Sequence, residues 1–199
     1  MYMGKYGAVA LILAVSAGSA SAATYNASRV IEDETTYGQC AAGSKCTADN
    51  RKVTTNSLGE ADAKFYSLGL GGTLTLAFDK AVFGPGAEVM IQEVTFGGPT
   101  KNRHFEALDV YSVMNGAAKF VTTIYNTMAT NSFQIADSFQ FLKLVDVTKR
   151  EFASTTSFDG YDVDSVSVSI APVPVPAAGG LLLAGLAGLG LIKRRRKIV

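Results

Sequence analysis

A short acidic run near the end of the chain has the composition of a cation-binding loop. Residues 159–164 read Asp-Gly-Tyr-Asp-Val-Asp, and Asp146 ends the preceding apolar run. Carboxylate oxygens on a glycine-containing loop suit Ca²⁺, which takes about six to eight oxygen ligands. The alternative is a solvated turn whose side chains bind their own backbone, because the spacing differs from that of an EF-hand. The sequence predicts a candidate calcium site with these ligands: Asp146, Asp159, Asp162 and Asp164.

Two of these carboxylates lie at alternate positions that continue the apolar face of a predicted strand. Asp162 and Asp164 alternate in step with Val166, Val168 and Ile170, which we assign to the inward face. A regular strand through them would bury two charges, which is costly without partners. We therefore expect a bulge or turn in this strand, or a cation that neutralises the carboxylates.

Two further acidic residues, Glu60 and Asp62, precede the first regular strand pattern. In sandwich domains an early loop can lie near the last strand. Both residues are therefore additional candidate calcium ligands.

Catalytic residues are not evident. His104 is the single histidine, it lies in a predicted loop, and neither a G-x-S-x-G nor an H-E-x-x-H motif occurs. We interpret His104 as a surface residue rather than a general base. Paired carboxylates can hydrolyse glycosidic bonds, but no spacing positions Asp109, Asp146 or Asp159 for that task. The sequence predicts a protein that is not an enzyme.

The elements that position these residues are strands. Apolar and polar residues alternate over 73–78, and five more runs rich in Val, Ile, Phe, Thr and Tyr follow, separated by turn residues such as Asn115-Gly116. The other runs lie at 89–94, 108–110, 120–125, 139–147 and 166–170. No long helical periodicity precedes residue 177. These strands predict an all-β fold, a jelly-roll-like β-sandwich, with the polar segment 23–60 wrapping it as loops and edge strands.

The N-terminus has the pattern of a signal peptide. Lys5 supplies a positive charge, residues 7–17 are almost wholly apolar, and small residues follow up to Ala22. The apolar run is about half of the ~20 residues that span a bilayer, which argues against an uncut anchor. We expect signal peptidase to cut between Ala22 and Ala23, which makes residues 1–22 the signal peptide.

The C-terminus has three parts in order. Residues 171–176 read Ala-Pro-Val-Pro-Val-Pro, residues 177–192 carry no charge, and residues 193–197 read Lys-Arg-Arg-Arg-Lys. The uncharged part makes a helix of about 24 Å at ~1.5 Å per residue, slightly short of a hydrocarbon core of about 30 Å. Snorkelling of the basic side chains or local thinning closes that gap. We predict a transmembrane helix over 177–192 with its basic tail in the cytoplasm.

This tail resembles the PEP-CTERM sorting signal in its VPxPA form. The resemblance covers residues 172–199 and rests on a proline motif, a Gly/Leu/Ala helix and a basic cluster. It implies that an exosortase of a Gram-negative bacterium cuts near the proline motif, so that the helix is a transient anchor; an ordinary single-pass anchor is the alternative. It also implies a cell-surface or matrix protein associated with exopolysaccharide and biofilm. The sorting residues are Val173, Pro174, Val175, Pro176, Ala177, Arg194, Arg195 and Arg196.

The region between the two ends is acidic. All seventeen Asp and Glu residues lie within 23–176, together with twelve of the Lys and Arg residues, so the net charge there is near −5 although the whole chain carries +1. An acidic domain without a Lys/Arg run lacks the electrostatic footprint of a nucleic-acid-binding protein, and we exclude that class. About 150 residues suit one extracellular domain, which we place at 23–171.

Cys40 and Cys46 are the two cysteines of the chain and lie in a polar segment. In an exported chain they are expected to form a disulfide, which stabilises so short a loop by about 2 kcal/mol. The alternative, a metal pair, lacks the further ligands that a zinc site needs.

The domain itself also resembles a known kind of protein. The segments 56–62, 65–78 and 158–166 are similar to the repeated plan of exported sandwich domains that accompany this sorting signal. The likeness covers about residues 53–170 and implies a jelly roll of the galactose-binding or discoidin-like kind, without a catalytic residue.

Three functions follow as hypotheses. The first is a non-enzymatic, exosortase-processed surface or matrix protein, handled by signal peptidase and exosortase and associated with exopolysaccharide. The second is a calcium-dependent carbohydrate-binding module, and the third a polysaccharide-cleaving enzyme. Because the chain has no Trp, sugar-binding aromatics would be tyrosines such as Tyr66, Tyr111, Tyr125 and Tyr161.

Overall fold

Nine strands, one short α-helix and three 3₁₀ helices (Glu32–Glu34, Asp49–Arg51 and Thr54–Ser57) are the regular elements of the part of the chain that the structure describes. This computed structural model describes residues 22–41, 46, 49–94, 104–171 and 185. The elements are β1 (Ala23–Val30), β2 (Tyr66–Ser67), β3 (Thr73–Phe78), β4 (Ala87–Glu93), β5 (Ala107–Met114), β6 (Ala117–Tyr125), β7 (Thr130–Ile135), β8 (Phe141–Asp146), α1 (Thr148–Glu151) and β9 (Asp162–Ile170).

The strands form two antiparallel sheets that share β1. One sheet has the order β1-β9-β4-β7, with β2 beside the start of β9, and the other has the order β1-β3-β8-β5-β6. The first half of β1 pairs with β9, and the register against β3 shifts between Ala27 and Arg29 in the second half. A bulge of this kind lets one strand pass from one sheet to the other. The predicted all-β, jelly-roll-like sandwich is thereby confirmed.

The core lies between the two sheets and follows the alternation of the strands. In β4 the inward residues Ala87, Val89 and Ile91 are buried, whereas Glu88 and Met90 face outward. Leu142 and Leu144 of β8 are fully buried in the opposite sheet. Each fully buried Val, Ile or Leu side chain stabilises the fold by about 1.5–3 kcal/mol.

The six predicted strands coincide with observed ones, but three observed strands, β1, the short β2 and β7, lie outside the predicted runs. The run 73–78 is β3, and the other runs fall on β4, β5, β6, β8 and β9. The segment 23–60, predicted as loops and edge strands, contributes β1, which lies at one edge of each sheet and joins the two. The run 130–135, not predicted as a strand, forms β7 at the opposite edge of the first sheet.

The predicted disulfide is present. Cys40 and Cys46 are bonded, with their Cα atoms 6.0 Å apart, within the usual range for a disulfide. Residues 22–171 form one compact unit.

The two predicted terminal signals lie outside the described residues. Of the predicted signal peptide, 1–22, only Ala22 is described, and of the predicted sorting tail, 172–199, only Gly185. In the ranges that the structure describes, no helix is long and apolar enough to cross a membrane.

Candidate functional site

The acidic run forms a tight loop that is fixed by Asp146. The Asp146 carboxylate accepts backbone N–H groups from Gly71 at 3.0 Å and Tyr161 at 2.9 Å, and the Thr148 hydroxyl at 2.6 Å. Gly160 has φ +71°, and a Cβ there would lie 2.6 Å from Asp146 Oδ2. Burial raises the pKa of Asp146 in spite of these donors. Asp146 therefore holds three chain segments together beneath the loop.

The expected bulge lies at Asp164. The register between β4 and β9 shifts between Gln92 and Glu93, which leaves Asp164 as the extra residue of β9. Its buried carboxylate accepts the backbone N–H groups of Asp62 at 3.1 Å and Ala63 at 3.2 Å. The early loop thus lies beside the last strand, as expected, and Asp164 is satisfied by peptide donors.

Asp159 and Asp162 lie together beside one guanidinium. Arg51 donates a hydrogen bond to Asp159, and its Nη1 lies 3.9 Å from Asp162 Oδ2. The guanidinium also stacks over the rings of Phe65 and Phe158, 5.2 and 5.5 Å from their centroids. The cation that balances this pair in the structure is therefore Arg51, which the 3₁₀ turn Asp49–Arg51 places there.

A shared hydroxyl indicates that this pair holds a proton. The Ser67 hydroxyl is hydrogen-bonded to Asp162 and lies 3.1 Å from Asp159 Oδ2. A hydroxyl has one proton to donate, so both bonds form only if one carboxyl carries a proton of its own. Burial and the charge of Asp159 raise the pKa of Asp162 to about 8, against the opposing effects of Ser67 and Arg51. We assign the proton to Asp162.

A pocket opens beside this pair, where several strands end. Glu93 ends β4, Glu106 precedes β5 and Asn126 follows β6, so the three meet at one end of the sandwich. The pocket has a volume of about 80 Å³. We call it the acidic pocket; it is lined by Arg51, Glu93, Val94, His104, Glu106, Asn126, Ser157, Phe158, Asp159 and Asp162.

Glu106 is held by three neutral donors and acceptors. The Ser157 hydroxyl donates to Glu106 Oε1 at 2.7 Å, and Asn126 Nδ2 lies 3.2 Å from Oε2. Asn126 Oδ1 in turn accepts the backbone N–H of Glu106 at 2.9 Å, which fixes the orientation of the amide. Burial, followed by the charge of Asp162, raises the pKa of Glu106 well above its usual range.

Glu93 also has a raised pKa. Burial, followed by the charge of Asp162, raises the pKa of Glu93 to about 8, although a hydrogen bond with Asn126 opposes the shift. Burial and mutual repulsion thus favour the protonated forms of Glu93, Glu106 and Asp162 in the acidic pocket, and a protonated carboxyl can both donate and accept a hydrogen bond.

His104, interpreted from the sequence as a surface residue, is half-buried in the wall of the acidic pocket. Its Nδ1 lies 3.0 Å from the Thr156 hydroxyl, and its ring meets Phe158 edge-on at 6.2 Å. Phe158 thus presents an apolar ring among polar groups.

The predicted site residues are only partly brought together. Asp159 and Asp162 line the acidic pocket, whereas Asp146 and Asp164 bind backbone N–H groups outside it. Within the described ranges, no group of three or more His, Cys, Asp or Glu residues is arranged to hold a metal ion. Calcium binding stays a prediction.

Several pocket residues were missed, and two of them had a signal. Glu93 has the parity of the buried Val89 and Ile91, and Glu106 that of Leu108 and Val110. A carboxylate on an inward strand face at a strand end marks a polar site. No comparable pattern marks Arg51, Asn126 or Ser157.

Other residues considered from the sequence have structural roles. Asp109 accepts two hydrogen bonds from Arg150, at 2.6 and 2.8 Å, and one from Thr123. Burial alone would raise the pKa of Asp109, but these hydrogen bonds outweigh it and the pKa is lowered. Tyr66 and Tyr161 were candidate sugar-binding aromatics. That prediction is wrong for both, because their side chains are buried in the core.

No family model and no curated protein matches the sequence. Among solved structures, the chain is similar to the family 32 carbohydrate-binding module of C. perfringens NanJ in complex with galactose: 11% identity, TM-score 0.40, 75% of this chain and 93% of that chain covered. It is also similar to the family 32 module of Streptococcus pneumoniae EndoD, with 12% identity, TM-score 0.40, and coverage of 58% and 87%. A third similar structure is the lectin binding domain of Lectinolysin complexed with Lewis b, with 11% identity, TM-score 0.41, and coverage of 78% and 94%. Likenesses at this level do not assign a ligand.

Proposed function

We propose that this chain is an exported, non-enzymatic surface protein whose sandwich domain binds carbohydrate in the acidic pocket. The observation that carries the proposal is the composition of that pocket. Protonated carboxyls and the Asp159–Arg51 pair supply donors and acceptors around the ring of Phe158. Sugar hydroxyls need both donors and acceptors, and the apolar face of a sugar ring packs on an aromatic ring.

The charge and size of the acidic pocket restrict the ligand. Arg51, the guanidinium in its lining, is already paired with Asp159, and a bound anion would raise the cost of any charge on the other three carboxyls, so an anionic sugar is disfavoured. At about 80 Å³ the pocket is smaller than the ~300–1,000 Å³ of drug-sized sites. We propose a neutral or amino sugar that inserts one edge of one ring.

A glycan array followed by calorimetry tests this proposal. The array includes galactose, the sugar in the NanJ complex, together with glucosamine and galacturonic acid. We expect Glu93→Ala to weaken binding about tenfold, as loss of one hydrogen-bonding group inside a site does. Glu88→Ala is the matched control, because Glu88 lies on the outward face of the same strand. Binding of no neutral or amino sugar, or equal effects of both substitutions, would refute the proposal.

A polysaccharide-cleaving enzyme is the second candidate. A buried carboxyl with a raised pKa, such as Glu93 or Glu106, has the property that a general acid in glycoside hydrolysis requires. Incubation of the purified protein with β-1,4-galactan and chitosan, followed by assay of new reducing ends, separates the two. We expect no new reducing ends. Their release would show that the protein cleaves polysaccharide, and the enzyme would then be the favoured function.

The ends of the chain support export and sorting. We propose that signal peptidase cuts before Ala23 and that an exosortase of a Gram-negative bacterium cuts near Pro174–Ala177. The support is the resemblance of the tail to the VPxPA sorting signal. The natural ligand would then be the producer's exopolysaccharide, in the cell-surface layer or biofilm matrix. Mass spectrometry of the exported protein tests both cuts, and a surface species that ends at Val199 would restore the single-pass anchor.

A further inference from the structure

Three aromatic rings form an exposed cluster beside the acidic pocket. The ring centroid of Phe152, which directly follows α1, lies 5.5 Å from that of Phe105 and 5.8 Å from that of Tyr125. Phe105 is 44% exposed and Tyr125 is 37% exposed, although burial of either ring would be favourable. We call these three rings, Phe105, Tyr125 and Phe152, the aromatic ledge.

The aromatic ledge and the acidic pocket share a border of backbone. Phe105 lies between His104 and Glu106, which both line the pocket. Tyr125 precedes Asn126, which lines it too. The two backbone segments are joined there, because Asn126 donates its backbone N–H to the Glu106 carbonyl at 3.2 Å. Since successive side chains of an extended chain point to opposite sides, a ligand that leaves the pocket across this border meets the two rings.

Polar groups border the rings of the aromatic ledge. The Tyr125 hydroxyl donates to Glu151 Oε2 at 3.2 Å, and Arg150 Nε donates to Glu151 Oε1 at 2.8 Å. Both charged side chains reach the solvent. The face of an aromatic ring packs on the C–H groups of a sugar, while polar groups at its edge bind the sugar hydroxyls. The aromatic ledge therefore offers stacking and hydrogen bonding side by side.

The exposed area of the aromatic ledge is small for a protein interface. An aromatic side chain buries about 150–250 Å² when it is covered completely. Each of the three residues is less than half exposed, which leaves roughly 300 Å² in all. A stable protein interface covers about 800 Å² on each partner. A small occupant such as a sugar ring fits this area better than a second protein does.

We propose that the aromatic ledge is a second sugar subsite, which binds a further sugar of a glycan chain that has one ring in the acidic pocket. This inference rests on the proposed carbohydrate binding. The acidic pocket, at about 80 Å³, has no room for a second ring, so the rest of a chain must lie outside it. The preferred ligand is therefore an oligosaccharide or polysaccharide rather than a free monosaccharide.

Calorimetry with monosaccharides and their tetrasaccharides tests the subsite. The purified protein is titrated with galactose and β-1,4-galactotetraose, and with glucosamine and its β-1,4-linked tetrasaccharide. We expect one tetrasaccharide to bind about tenfold or more tightly than its monosaccharide, which exceeds the about fourfold gain that four equivalent sugars give by number alone.

Phe105→Ala should remove most of this gain and leave the affinity for the monosaccharide as in wild type, which also shows that the variant is folded. Tyr125→Ala, which removes the second exposed ring, should have the same effect. Phe120→Ala is the matched control, because Phe120 is 51% exposed on β6 and meets Tyr111 edge-on away from the pocket. It should keep the affinities of wild type for both ligands.

Equal affinities of wild type for monosaccharide and tetrasaccharide, or equal losses in Phe105→Ala and Phe120→Ala, would overturn the subsite and leave the acidic pocket as a monosaccharide site. If wild type binds none of the four sugars, the proposed carbohydrate binding itself fails. Sedimentation equilibrium tests the other occupant. We expect the mass of the wild-type species to be unchanged by Phe105→Ala. A wild-type dimer that this substitution dissociates would assign the aromatic ledge to a second copy of the chain and overturn the subsite.

Discussion

The raised pKa of Glu93 makes the stability of the domain depend on pH. The group has a pKa of about 8 in the folded protein, against 4.5 for a free glutamate. Below the pKa of the unfolded state, the carboxyl is protonated in both the folded and the unfolded protein, so burial of the neutral group favours folding. Between the two pKa values the unfolded chain releases its proton while the folded protein keeps it, so the free energy of unfolding falls as pH rises. It reaches its lower limit above the pKa of the folded state.

The size of this effect follows from the shift. Each pKa unit corresponds to about 1.4 kcal/mol, so Glu93 alone loses about 3 kcal/mol of its contribution between about pH 5 and about pH 8. That is a large part of the ~5–15 kcal/mol that stabilises a typical domain. Glu106 and Asp162 titrate in the same cluster, so the wild-type protein loses more than this.

Glu93→Gln isolates the contribution of this one group. Glutamine keeps the shape and the hydrogen-bonding capacity of the neutral carboxyl but does not titrate. Urea unfolding of both proteins across this pH range should show the free energy of unfolding of wild type, relative to the variant, falling by about 3 kcal/mol. Glu88→Gln, on the exposed face of the same strand, should follow wild type. Parallel pH profiles for wild type and Glu93→Gln would refute the assignment of a buried, protonated carboxyl.

Three other measurements test separate parts of the account. Gly160→Ala should destabilise the domain by about 2–4 kcal/mol in thermal unfolding, because the residue has a positive φ and its new Cβ meets Asp146; Gly84→Ala should not. Alanine at both Pro174 and Pro176 should leave uncut precursor in the membrane, as immunoblotting of membrane fractions would show, whereas normal processing would speak against an exosortase motif. If calcium binds the acidic loop, saturating calcium should raise the melting temperature by mass action, and an unchanged melting curve with chelator would leave Arg51 as the balancing cation.

The strands that were predictable have one clearly apolar face. Val89 and Ile91, or Leu142 and Leu144, alternate with outward residues, and that period identifies a half-buried strand. In β1 the pattern is broken by Asn26 and Ser28, and in β7 by Asn131. Their pairing is decided by partners that are distant in the chain, which local pattern does not reveal.

The candidate site was predictable in composition but not in arrangement. The parity of Asp162 and Asp164 predicted a bulge or turn, or a neutralising cation, and the bulge lies at Asp164. The long-range donors that satisfy Asp146 and Asp164 are peptide N–H groups, which every residue except proline carries, so no sequence signal identifies them. Arg51 is likewise brought to Asp159 across more than a hundred residues.

Amide chemical-shift mapping during a sugar titration tests the central claim most directly. Galactose, glucosamine and galacturonic acid are added in turn to the isotope-labelled protein. The amides of Glu93, Glu106 and Asp159 report the acidic pocket, and that of Gly84, in the loop before β4, reports the opposite end of that strand. The account predicts saturable shifts at the pocket amides with a neutral or amino sugar, and none at Gly84. Shifts confined to residues outside the acidic pocket, or no shift with any of the three sugars, would contradict it.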